Sequence, residues 1–132
     1  MDASRIGAFP MFAGLPAAEL EALAATMTEV DVDAGAQVVA LDDYGSSLYF
    51  IEQGEAEVHT DGDREHERRA LGPGDAFGEI ALLLTGQRTA TVVARTPMRL
   101  LSLSEYDFER IRGDVPELER SLRRVGIERS SR

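Results

Sequence analysis

Apolar residues recur at helical spacing near the start of the chain and at alternate positions through its middle. Pro16 opens a stretch in which Leu20, Leu23, Ala24 and Met27 form one stripe, which predicts a short amphipathic helix ending near Thr28. Residues 1–14 carry Phe9, Met11 and Phe12 among small residues and read as an irregular arm anchored by its apolar side chains. Between Glu29 and Leu103 the period is mostly two. Short β-branched or aromatic runs occur at Val30/Val32, Gln37–Leu41, Leu48–Gln53, Glu55–Thr60, Arg68–Leu71, Ala90–Arg95 and Met98–Leu103. Turn chemistry separates them at Ala34-Gly35, Tyr44-Gly45, Gln53-Gly54, Asp61-Gly62-Asp63 and Gly72-Pro73-Gly74-Asp75, with Asp61-Gly62 the strongest hairpin signal. About seven short strands predict an antiparallel sandwich or roll. Ser104 then caps a helix with Asp107 three residues on, Phe108 and Ile111 on its buried side and Gly113 as its stop. Asp114-Val115-Pro116 restarts a last helix with Leu118, Leu122 and Val125 on one face and Arg120, Arg123 and Arg124 alongside.

This order predicts one domain over residues 1–132: arm and helix to 28, a β-roll over 29–103 and two helices over 104–128. A chain of 132 residues with 43% apolar content is the size of a single ordinary domain. Cysteine is absent, so a disulfide framework and a thiolate metal site are both excluded, and a reducing cytoplasmic location is expected. No apolar run approaches the ~20 residues that span a bilayer, so no membrane insertion is expected. The formal charge of −10 arises entirely within residues 1–60, where eleven acids face the single base Arg5. An acidic front half disfavours nucleic acid as a direct partner, because phosphate backbones select basic footprints.

One stretch breaks the strand rhythm. Residues 77–92, from Phe77-Gly78-Glu79 through Gly86-Gln87-Arg88-Thr89 to Val92, read as a glycine-initiated helical turn between two strands, with a carboxylate at its start and an arginine after a second glycine. Free N–H groups at the start of such a turn, its dipole and a guanidinium that clamps two oxygens make an anion cradle. Glu79 would repel an anion unless it accepted hydrogen bonds from the same molecule, and a ribose hydroxyl is the obvious donor. On residue chemistry alone, a structural Glu79–Arg88 salt bridge around the turn fits equally well.

The segment resembles the phosphate-binding cassette of the cyclic nucleotide-binding domain family. The resemblance runs over roughly residues 9–128 and includes Phe12-Ala13-Gly14-Leu15, Gly35, Leu48-Tyr49-Phe50-Ile51, Gly54 and Val58 upstream, and the two helices downstream. It implies a mainly β fold, an antiparallel β-roll (a double-stranded β-helix, jelly-roll-like) with an N-terminal helix and two C-terminal helices that act as hinge and lid. It implies that Glu79 takes the ribose hydroxyl, that Gly78 and Ala81 offer backbone contacts and that Arg88 binds the cyclic phosphate. Thr89 would add a hydroxyl near phosphate or base, and Ile80 and Ala90 complete the ligand-binding set. Val58 and Leu71 would form apolar walls, with plain core packing the competing reading for both. Tyr49, Phe50, Phe77, Leu82 and Leu83 are assigned to the core. Two positions depart from the family: Asp42 stands where glycine is usual, and Gln87 where proline often precedes the arginine. Neither removes a ligand group.

The implied function is a cyclic-nucleotide sensor, with cAMP ahead of cGMP, whose C-terminal helices move on binding to regulate an effector protein or domain. A β-roll that has lost its ligand and serves only as an interaction domain is the alternative. No enzyme is expected: no nucleophile has an adjacent base, and a catalytic cupin-like barrel would need about three converging metal ligands. His59 and His66 sit in one polar neighbourhood and read as solvated hairpin residues, so neither a metal nor a cofactor is expected. A helix-turn-helix is not expected either, because two helices consume the thirty or so residues after the roll. The Arg120/Arg123/Arg124 cluster reads as charge complementing a helix terminus, against a lid residue stacking on the base.

Overall fold

The structure is a computed structural model that describes residues 1–39, 47–60, 69–77, 90–118 and 120. The arm is helical rather than irregular: α1 spans Ala3–Gly7, a 3-10 turn spans Pro10–Phe12, and α2 spans Ala17–Thr26. The Asp2 carboxylate caps α1 by accepting from the Ser4 N–H, a local bond that helical periodicity does not reveal in so short a segment. Pro16 is the N-cap of α2 rather than its first helical residue. At the other end Met27 is already extended and Thr28 begins the first strand, so the helix stops two residues before the expected boundary.

Among the described residues eight strands follow: β1 Thr28–Val32, β2 Gln37–Val39, β3 Ser47–Gln53, β4 Ala56–Thr60, β5 Arg69–Leu71, β6 Ala76–Phe77, β7 Ala90–Ala94 and β8 Met98–Ser104. They form two four-stranded antiparallel sheets, in the orders β1-β8-β3-β6 and β2-β7-β4-β5. The mainly β architecture with flanking helices is therefore as expected. The addition is β6, whose two residues are too few to show a period. The Asp61-Gly62 turn lies outside the described residues, but the strands it joins pair as a hairpin, Val58 opposite Arg69. At the Gln53-Gly54 turn only glycine fits. Its φ is +96°, and a Cβ there would sit 2.5 Å from the Pro97 carbonyl oxygen.

Adjacent residues on β3 and β8 enter two different cores, because strand side chains alternate between faces. Ile51 and Leu100 meet Ala56, Val58, Leu71, Val92 and Ala94 between the sheets. Leu48, Phe50, Leu101 and Leu103 face the other way, into a core shared with Ile6, Phe9, Phe12 and Leu23 of the N-terminal helical segments. The C-terminal side joins this second core. Helix α3, Glu105–Ile111, contributes Phe108 and Ile111, and Ser104 caps it by accepting from the Asp107 N–H at 3.1 Å, as its sequence predicts. Helical backbone resumes at residues 116–118, and Val115 and Leu118 are fully buried in the same core. Leu122, Val125, Arg123 and Arg124 lie outside the described residues.

One ionic clamp holds α1 to the first sheet. Arg5 donates to Glu52 on β3 at 2.7 Å and to Glu29 on β1 at 2.6 Å. The hydrogen bond from Arg5 holds the Glu52 carboxyl below its ordinary value of 4.5, against partial burial, which pushes it up. A carboxyl depressed in this way contributes stability above its unfolded pKa and loses it as pH falls through the lower folded one. Partly exposed pairs are worth under about 1 kcal/mol. Thermal melts of wild type and Glu52→Gln should therefore differ modestly at neutral pH and converge as the pH drops below 4.5. A gap that persists undiminished to about pH 3 would show that the pair contributes no pH-dependent stability.

Candidate functional site

The chain passes repeatedly between the sheets, and the candidate cassette falls in the return leg of one such excursion, from β5 through β6 to β7. Strand β5 ends at Leu71 in the second sheet, a turn over residues 72–75 delivers β6 to the first sheet, and β7 resumes at Ala90 in the second. The turn is tied at four points. Within it, the Gly72 N–H donates to the Asp75 carboxylate at 2.8 Å and the Asp75 N–H donates to the Gly72 carbonyl at 3.0 Å. Between it and β3, the Gly74 N–H donates to the Ile51 carbonyl at 2.9 Å and the Ile51 N–H donates to the Asp75 carbonyl at 2.8 Å. Gly74 reaches that position with φ +94°, in the left-handed region that glycine adopts at no steric cost.

Strand β6 then places Ala76 opposite Phe50 and Phe77 opposite Tyr49. The Phe77 and Tyr49 rings stack with centroids 5.2 Å apart and 23° between planes, an offset geometry worth about 0.5–1.5 kcal/mol beyond burial. Downstream, Ala90 pairs with Thr60, Thr91 with His59 and Val92 with Val58. The residues on either side of 78–89 are thus held in different sheets, and both strands run into the apolar cluster between them. Phe77 enters that cluster from one side and Val92 from the other.

Of the residues singled out from sequence, Gly78, Glu79, Ile80, Ala81, Arg88 and Thr89 lie outside the described residues, as do Leu82, Leu83, Gln87 and Asp42. The backbone of Ala90 opens β7. Val58 and Leu71 are brought together: they lie on neighbouring strands, buried to 4% and 7% exposure, in the cluster that receives Phe77 and Val92. Phe50 packs in the helix-side core and Phe77 between the sheets, while Tyr49 is only partly buried at the margin of the inter-sheet cluster. Residues that sequence reasoning left unassigned are Ala76, as a strand residue, and Asp75, as the clamp of its turn. The Gly-Pro-Gly-Asp pattern carried the only signal for the latter.

The outward face of β4 carries charge. There His59 Nε2 lies 2.7 Å from Glu57, and Arg95 approaches the same carboxylate at 3.8 Å. The inter-sheet cluster itself is lined by apolar side chains and the Tyr49 ring. Among the described residues no group of three or more His, Cys, Asp or Glu could hold a metal ion. No helix among them is long and apolar enough to cross a membrane.

The family model for the cyclic nucleotide-binding domain matches residues 29–114, from β1 through α3. The chain belongs to the cyclic nucleotide-binding domain family. Among its relatives is a cyclic nucleotide-gated potassium channel of Mesorhizobium japonicum, 34% identical over 94% of this chain and 34% of the channel. A cAMP-dependent protein kinase regulatory subunit of Yarrowia lipolytica is 36% identical over 80% of this chain and 28% of that protein. The catabolite activator protein of Thermus thermophilus superposes with a TM-score of 0.78 and 27% identity, covering 92% of this chain and 58% of that one. The domain thus spans about a third of the length of these two curated relatives. Its two sheets and flanking helices match the family's β-roll, and the excursion over residues 72–90 brackets the segment that resembles the phosphate-binding cassette.

Proposed function

We propose that this domain is a regulatory sensor, not a catalyst, that binds cAMP in preference to cGMP. Arg88 holds the cyclic phosphate and Glu79 the ribose hydroxyl, Gly78, Ile80, Ala81, Thr89 and Ala90 complete the polar end of the site, and Val58 and Leu71 form the apolar wall. The observation that carries this reading is the convergence of Phe77 and Val92, on either side of 78–89, on one apolar cluster that includes Val58 and Leu71. A ring resting on such a cluster loses water on that side, while the phosphate stays with the polar loop. The kinase regulatory subunit among the relatives is named for cAMP dependence, which supports the adenine preference. Parallel calorimetric titrations with cAMP and cGMP test it: cAMP is expected to bind more tightly, and a cGMP affinity tenfold higher would reverse the assignment. Absence of binding by either nucleotide would leave an interaction domain without a nucleotide.

Binding acts on the C-terminal helices. Phe108, Ile111, Val115 and Leu118 pack on the helix-side core, across the first sheet from the apolar cluster. A ligand moves such a layer only through differential affinity for its two positions. With saturating cAMP, amide exchange should slow more in residues 104–118 than in β1. Equal slowing in both would indicate a static binder. The regulated effector is a protein or domain that reads the position of these helices.

A further inference from the structure

We infer that Tyr49 is a positioning residue for the nucleotide site, acting through Phe77. The inference rests on the proposed binding reading and deepens it. Segment 78–89 begins immediately after β6, so the placement of Phe77 sets where the cassette starts. Strand β6 has two residues and lies at the edge of its sheet, and among the described residues β3 is its only strand partner, through two register pairs. Upstream, the turn over 72–75 is tied to the backbone of Ile51, which fixes where the strand enters but not how its last side chain points. Phe77 is buried in the inter-sheet cluster, and its ring stacks on Tyr49, at 5.2 Å and 23°.

Tyr49 differs from its neighbours in a way that fits this role. Along β3, Leu48, Phe50 and Ile51 are fully buried and fill cores, whereas Tyr49 is only partly buried and sits at the margin of the inter-sheet cluster. A flat ring at the margin, laid against the residue that precedes the cassette, holds it in one orientation. Without that ring Phe77 loses its stacking partner and is held less tightly by the remaining cluster, and the fraction of molecules with a binding-competent cassette falls. Apparent affinity falls in proportion to that fraction.

Isothermal titration with cAMP on the full chain tests the inference. Tyr49→Ala is expected to weaken binding about tenfold, and Tyr49→Leu, which keeps apolar bulk without a flat face, about threefold. Tyr49→Phe should return to within about twofold of wild type. The comparison variant is Val30→Ala, which trims a partly buried residue packed against the same cluster on β1. It should lower the melting temperature without weakening cAMP binding. If Tyr49→Ala and Tyr49→Leu bind like wild type, or if Val30→Ala loses as much affinity as they do, the residue is ordinary packing and the inference fails. If Tyr49→Phe is as weak as Tyr49→Ala, the ring stack is not the cause and the inference likewise fails. If wild type itself binds no cyclic nucleotide, the proposed function has failed before Tyr49 is tested.

Discussion

Arg88→Ala is expected to abolish measurable cAMP binding while leaving the fold intact. A desolvated phosphate held by one guanidinium depends on it, and removing one member of such a charge pair typically costs about 2–5 kcal/mol, a loss of roughly thirty- to several-thousand-fold in affinity. Thr89→Ala should cost far less, because a neutral hydroxyl contact contributes only about 0.5–1.5 kcal/mol net. The readout can be thermal as well as calorimetric. At ~100 times its dissociation constant the ligand stabilises wild type by ~2.7 kcal/mol, a melting shift of several degrees, and Arg88→Ala should show almost none of it. A variant that melts far below wild type in the absence of ligand would instead support a structural Glu79–Arg88 salt bridge. Normal melting with an undiminished ligand shift would overturn the cassette assignment.

The largest effect on stability is expected on the opposite face of the first sheet. Phe50 is fully buried there, with ring centroids 5.4 Å from Phe12 and 5.9 Å from Phe9. It belongs to the core that holds N-terminal and C-terminal helical segments together. Phe50→Ala removes its ring from a close-packed cluster that can collapse only partly, so a loss of about 3–5 kcal/mol is expected. That corresponds to a fall in melting temperature of roughly 10–20 °C for a chain of this size. Chemical denaturation should give the same destabilisation. A loss below about 1 kcal/mol would mean that the helical layer is not anchored through this ring. The contrast with Tyr49, the preceding residue, is instructive: one residue along the strand exchanges a predicted defect in binding for a predicted defect in folding.

Much of this domain is legible in the sequence because the signals are local. The period change from 3.6 to 2 after Met27 marks the passage from α2 into the roll. Ser104 reaches the Asp107 N–H within one turn, so its capping needs no distant partner. Gly54 announces a turn by its own freedom to adopt positive φ, although the reason no other residue fits there, the Pro97 carbonyl, comes from a strand connection over forty residues away. The Gly78-Glu79 and Arg88-Thr89 pairs are legible as a family resemblance. Their spacing alone fits a salt bridge as well as it fits a ligand.

What only the tertiary structure decided is which face each residue serves and which distant groups meet. Tyr49, Phe50 and Ile51 form one apolar run in the sequence, yet Phe50 enters the helix-side core while Tyr49 and Ile51 face the second sheet. That division follows from strand alternation combined with the β3–β8 and β3–β6 registers, which pair residues as far apart in the chain as Ser47 and Ser104. The two-residue β6 exists only because β3 offers it an edge. Helix α1, too short to be stable alone, is held by Ile6 in the helix-side core and by Arg5 on Glu52, a partner 47 residues away. Local dihedral preference and periodicity specify elements. Pairing, register and long-range charge contacts specify what those elements touch, and they exist only once the chain has folded.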